Sequence, residues 1–91
     1  MYYVLYTPVE LGGIWRMARG AEEANRIILH IARPDQRKLL SGAKTPQQNI
    51  KALPAWRVRT IPKKLHKFFR DMAELPGIDV DKILDSGGIN D

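Results

Sequence analysis

Six prolines, at positions 8, 34, 46, 54, 62 and 76, divide the chain into segments of which only 9–33 exceeds 15 residues. Proline lacks a backbone donor and its ring clashes with the preceding helical turn, so each one marks a start, a stop or a turn. Any core must therefore come from short elements that each bury a face. Residues 2–7, YYVLYT, are aromatic and β-branched on both faces, which predicts a central strand. PVELGG at 8–13 predicts a turn in which Gly12 and Gly13 take positive φ, and IWRMAR at 14–19 returns as a second extended run. Strand, short loop and strand predict a hairpin.

Beyond Gly20 the period changes. Ala24, Ile27, Ile28 and Ile31 fall at i, i+3, i+4 and i+7, one apolar stripe of a helix that Pro34 ends. Glu22 and Glu23 sit in its first turn, where the helix dipole favours anions, and Arg26 is spaced to pair with them. PDQRKLLSG suits about two helical turns closed by Gly42. TPQQNIKAL carries a capping box, with Thr45 as cap, Pro46 at the first helical position and Gln48 three residues on. In AWRVRTI, 55–61, Trp56 and Val58 alternate with Arg57 and Arg59, as in a half-buried strand. Pro62 starts a helix to about Leu75 with Leu65, Phe68, Phe69 and Met72 inward, ended by Pro76 and Gly77. A last short helix has Asp79 as cap, Ile78 and Ile83 as a hydrophobic staple, and Gly87 after it.

The expected fold is α+β in a single domain, 1–91. It has a small antiparallel sheet of about three strands, a β-hairpin plus one later strand. Two main amphipathic helices pack on one face, with two or three short helices between. Residues 14–34 laid on 55–75 without a gap place Trp15 on Trp56, Arg16 on Arg57 and Ala32 on Ala73, and the two helical stripes coincide. Both stretches are a strand feeding an amphipathic helix, which similar packing needs explain as well as common descent does.

The net charge of +5 is unevenly spread. Residues 1–35 hold four arginines against four acids; 36–70 hold ten cations and no acid; 71–91 hold one lysine against six acids. A basic middle followed by an acidic segment points to a charged partner. The alternative is that the acidic segment folds over the basic middle and neutralises it.

Catalytic chemistry has little to draw on. The chain has no cysteine, so no thiolate nucleophile or disulfide is available, which suits a reducing compartment. His30 and His66 are far apart in sequence, each on the polar side of its helix and without a carboxylate at ligand spacing. No glycine-rich phosphate loop follows either GG pair. Asp79, Asp81 and Asp85 lack the glycine and terminal glutamate of a calcium loop. We expect a non-enzymatic protein without cofactor, metal or small-molecule substrate. With neither an apolar run long enough to span a bilayer nor a signal-like start, it is expected to be cytoplasmic and free of membrane. A small basic ribonuclease using His66 is the enzymatic alternative.

The binding constellation is basic. On a strand, Arg57 and Arg59 project together about 7 Å apart. On the following helix Lys63, Lys67 and Arg70 form a row with Lys64 beside it, and Arg37 and Lys38 add charge upstream. These eight residues are the expected contacts to DNA or RNA phosphates. Trp15 and Trp56 are expected in the core, and Tyr2, Val4 and Tyr6 only loosely approximate the aromatic platform of RNA-binding sheets. The expected function is that of a small nucleic-acid-binding accessory protein. The alternative is a modulator of the phage or mobile-element kind that inhibits a host nucleic-acid-processing complex, such as a recombination nuclease, helicase or CRISPR complex, by protein-protein contacts.

Overall fold

In the computed structural model, residues 2–72, 75 and 77–85 are described. Ala73, Pro76 and Gly87, to which the sequence gives roles above, and Glu74 and Asp91, two of the six acids of 71–91, lie outside them. The fold is α+β. Three strands, β1 (Tyr2–Tyr6), β2 (Trp15–Ala18) and β3 (Arg57–Ile61), form an antiparallel sheet in the order β2-β1-β3. β1 is the central strand that its two-sided apolar sequence requires, with Val4 and Leu5 fully buried. The hairpin turn uses Gly12 at φ 127° and Gly13 at φ 64°. At Gly13 a β-carbon would also come within 3.3 Å of the Val9 backbone, so this position calls for glycine.

The helices are α1 (Ala21–Ile31), α2 (Pro34–Arg37), α3 (Pro46–Ile50), α4 (His66–Met72) and α5 (Val80–Asp85). A 3₁₀ turn at Lys63–Leu65 leads into α4. Thr45 caps α3, accepting from the Gln48 backbone at 3.1 Å, while the Gln48 side chain accepts from the Thr45 N–H at 2.8 Å. Asp79 accepts the Lys82 N–H at 3.1 Å ahead of α5, with Ile78 and Ile83 packed on the same core. The 34–42 stretch makes one helical turn, α2, rather than two. The segment after α2 is held by side chains: Asn49 donates to Asn25 at 2.8 Å and to Ser41 O at 2.9 Å, and Asn25 donates to Lys44 O at 2.7 Å.

The two main helices do not share a face. On one side of the sheet Tyr3, Leu5, Ala18 and Trp56 pack with Ala24 and Ile28 of α1 and Leu53 after α3. On the other side Val4, Trp15 and Ile61 pack with Phe69 of α4 and Val80 of α5. A central strand apolar on both faces needs a layer over each, and burying a side chain of valine or leucine size contributes about 1.5–3 kcal/mol. The internal correspondence follows this geometry. β2 leads to α1 on one face and β3 to α4 on the opposite face, so Trp15 and Trp56 lie on opposite sides of the sheet, each away from the helix its own strand feeds.

Candidate polyanion-binding surface

The face that carries Arg57 and Arg59 is built by strand register. Across the sheet Trp15 stands opposite Tyr6 and Tyr6 opposite Arg57, while Met17, Val4 and Arg59 form the next row. The Arg57 guanidinium lies 4.6 Å from the centroid of the Tyr6 ring and 5.0 Å from that of Trp15, a cation–π arrangement. The alternation puts Trp56 and Val58 in the opposite core, as their spacing predicts. The sheet face is not an open aromatic platform: Val4 and Trp15 are fully buried, and α4 and α5 cover it.

α5 brings acid onto the two arginines. Arg57 Nη1 donates to Asp81 Oδ2, and Arg59 Nη1 donates to Asp81 Oδ1 at 3.0 Å and Asp85 Oδ1 at 3.1 Å. Asp81 and Asp85 are one helical turn apart and Arg57 and Arg59 two strand residues apart, so both pairs present their charges on a single face. Burial lowers the Arg59 pKa, but the hydrogen bonds and charges of Asp81 and Asp85 outweigh it, and the net position is above the ordinary arginine value. Arg59 therefore stays charged wherever the protein is folded.

Magnitudes decide whether a polyanion competes for these arginines. Half-exposed ion pairs contribute about 0.2–1 kcal/mol each, whereas α5 also inserts Val80, fully buried, with Ile83 and Leu84 partly buried beside it. The apolar contacts hold the helix and the aspartates orient it. Arg57 and Arg59 are thus structural partners of α5, and the acidic segment does fold over this part of the basic middle.

The other six predicted contacts fall into two groups. Arg37 donates to Ala32 O at 3.0 Å and His30 O at 3.3 Å, meeting carbonyls at the C-terminal end of α1, and Lys38 follows it, exposed, at the end of α2. This pair sits by α1, on the far side of the sheet from α4. Lys63, Lys64, Lys67 and Arg70 are all exposed on the 3₁₀ turn and α4. Among the described residues Arg70 Nε meets its neighbour Asp71, at 3.4 Å, with both side chains more than half exposed. Phe68 does not point inward as its spacing predicts. It is 36% exposed beside Lys67 and packs edge-on against buried Phe69, ring centroids 5.1 Å apart. His66 turns towards the sheet, its ring 4.5 Å from that of Tyr2.

Sequence reasoning set aside the neutral first third, and two cations there stand out. Arg16 and Arg19 have no ion pair among the described residues, whereas Arg26 pairs with Glu22 at 3.1 Å and Arg33 with Asp35 at 3.8 Å. Charge counting over 35 residues averaged these two away, although the spacing of Arg26 from Glu22 and Glu23 already marked one of those acids as engaged. No group of three or more histidine or acidic side chains converges at metal-binding distance among the described residues, and no described helix is long and apolar enough to cross a membrane. Comparison with known protein families, with curated proteins and with solved structures finds no match.

Proposed function

We propose that the chain is a small, non-enzymatic, cytoplasmic nucleic-acid-binding accessory protein whose contact face is the 3₁₀ turn and α4, with Lys63, Lys67 and Arg70 on phosphates. One observation carries this reading. The three cations are exposed on the 3₁₀ turn and α4, with Asp71 as the one acid paired to them among the described residues, next to a partly exposed Phe68. Lysine and arginine neutralise phosphates by displacing counterions, and an aromatic ring among them offers a stacking surface to an unpaired base. Arg57 and Arg59 act behind this face by fixing α5 to the sheet, and Arg37 by closing α1.

The test is a titration of the protein against fluorescent single- and double-stranded DNA and RNA between about 50 and 300 mM salt. Each phosphate contacted on duplex DNA is expected to add about −0.9 to the slope of log K on log salt, so three contacts give about −2.7. Failure to bind any of the four at the low-salt end would overturn the reading and favour a protein target.

A further inference from the structure

The open edge of β2 is left unused by the nucleic-acid reading. No strand lies beyond β2 among the described residues. Thr7 donates its backbone N–H to Ile14 O at 3.0 Å, and antiparallel ladders alternate bonded with non-bonded pairs. Counting from Thr7–Ile14 along the register, Leu5–Arg16 and Tyr3–Ala18 are the bonded pairs. The backbone groups of Trp15 and Met17 therefore point away from β1, towards the open edge.

Two grooves flank that edge. The larger, about 320 Å³, lies between β2 and α1, with Ile27 and Ile31 as an aliphatic floor and Arg16, Met17, Arg26 and His30 around it. The smaller, about 230 Å³, is lined by Met17, Arg19, Glu23, His66 and Arg70. Met17 belongs to both. The Nε of Arg16 is buried and has no hydrogen-bond partner. Arg19 is exposed and, like Arg16, has no ion pair among the described residues.

We propose that this edge accepts an extended acidic peptide segment of a partner protein as a fourth strand of the sheet. Strand addition takes affinity from main-chain hydrogen bonds and specificity from alternate side chains. A segment alternating acidic and aliphatic residues fits both grooves at once. Its aliphatic side chains enter the larger groove over Ile27 and Ile31, its carboxylates meet Arg19 at the smaller, and an acceptor at its end satisfies Arg16. A second copy of this chain fits poorly, because Arg16 and Arg19 would face their own kind; edge strands use such charges against self-pairing. A nucleic-acid strand fits less well, because the floor of the larger groove, Ile27 and Ile31, is aliphatic and offers its polar backbone no partner.

The experiment is fluorescence anisotropy with a fluorescein-labelled peptide of four glutamate–valine repeats, combined with amide NMR mapping on the full chain. The expected result is saturable binding with shifts centred on Trp15–Ala18. Binding should weaken about tenfold or more when alternate peptide amides are N-methylated, and likewise with lysine in place of glutamate or with the exposed-site variant Arg19→Glu. N-methylation acts from the ligand side, so it tests the ladder without risk to the fold. Equal binding of the methylated peptide, shifts centred on Arg57–Ile61, displacement from the β2 edge by an oligonucleotide of higher affinity, or no saturable binding would each overturn the proposal. Arg70 borders both the smaller groove and the α4 face, so the two readings are separated by Arg19→Glu and by N-methylation, neither of which alters the α4 cations.

Discussion

Asp81 accepts from Arg57 and Arg59 together, and its side chain is only 23% exposed. Replacing it with alanine leaves Arg57 without its carboxylate partner and Arg59 with Asp85 alone. Asp81→Ala is expected to lower stability by about 1–2 kcal/mol in urea unfolding, more than one exposed ion pair and less than a buried charge left alone. An unchanged midpoint would show that the aspartate is incidental to α5 docking. Because Arg59 stays protonated at any pH at which the protein folds, substitution is the direct probe of its own contribution. A second residue-scale prediction concerns Ala55, whose φ of 70° is left-handed and costs a side-chain-bearing residue about 1–2 kcal/mol. Glycine relieves that strain but gives the unfolded chain about 0.4–1 kcal/mol more entropy to lose. Relief is the larger effect, so Ala55→Gly is expected to stabilise by roughly 0.5 kcal/mol, and a lower melting temperature would contradict this.

At the scale of elements, periodicity was informative where an element is regular and long enough to repeat. The α1 stripe spans two turns, and Ala24 and Ile28 are indeed fully buried. The strand alternation of Trp56, Arg57, Val58 and Arg59 is likewise reproduced by the register. The stretch after Pro62 is not one helix: it opens with three residues of 3₁₀ helix, and α4 then turns His66 and Phe69 to the sheet, which leaves Phe68 at the rim. Phe69→Ala is therefore expected to cost about 3–5 kcal/mol and Phe68→Ala less than about 1 kcal/mol, measured by denaturant unfolding. Equal losses would mean that both rings are core. Which side of the sheet each helix covers is not a property of helix periodicity, since an amphipathic stripe fits either face. The hint lay in β1, whose sequence has no polar face.

For the molecule as a whole, the segregation of charge along the chain was plain in the sequence, but its pairing in space was not. Ten cations without an acid describe a stretch of sequence, not a surface. Folding separates them by role: Arg37 closes α1, Arg57 and Arg59 hold α5, and Lys63, Lys67 and Arg70 face outward. The matched spacing of Asp81 and Asp85 with Arg57 and Arg59 was legible, but only to a reading that already placed α5 over the sheet. The central claim is that the outward row, and not the strand arginines, meets the polyanion. Its most direct test compares the salt dependence of duplex DNA binding for the parent protein, a Lys63→Ala, Lys67→Ala, Arg70→Ala variant, and an Arg57→Gln, Arg59→Gln variant verified as folded. Loss of the three outward contacts is expected to flatten the log–log slope by about 2.7, while the strand variant keeps the parent slope. A flattened slope in the strand variant, with the outward variant unchanged, would contradict the account.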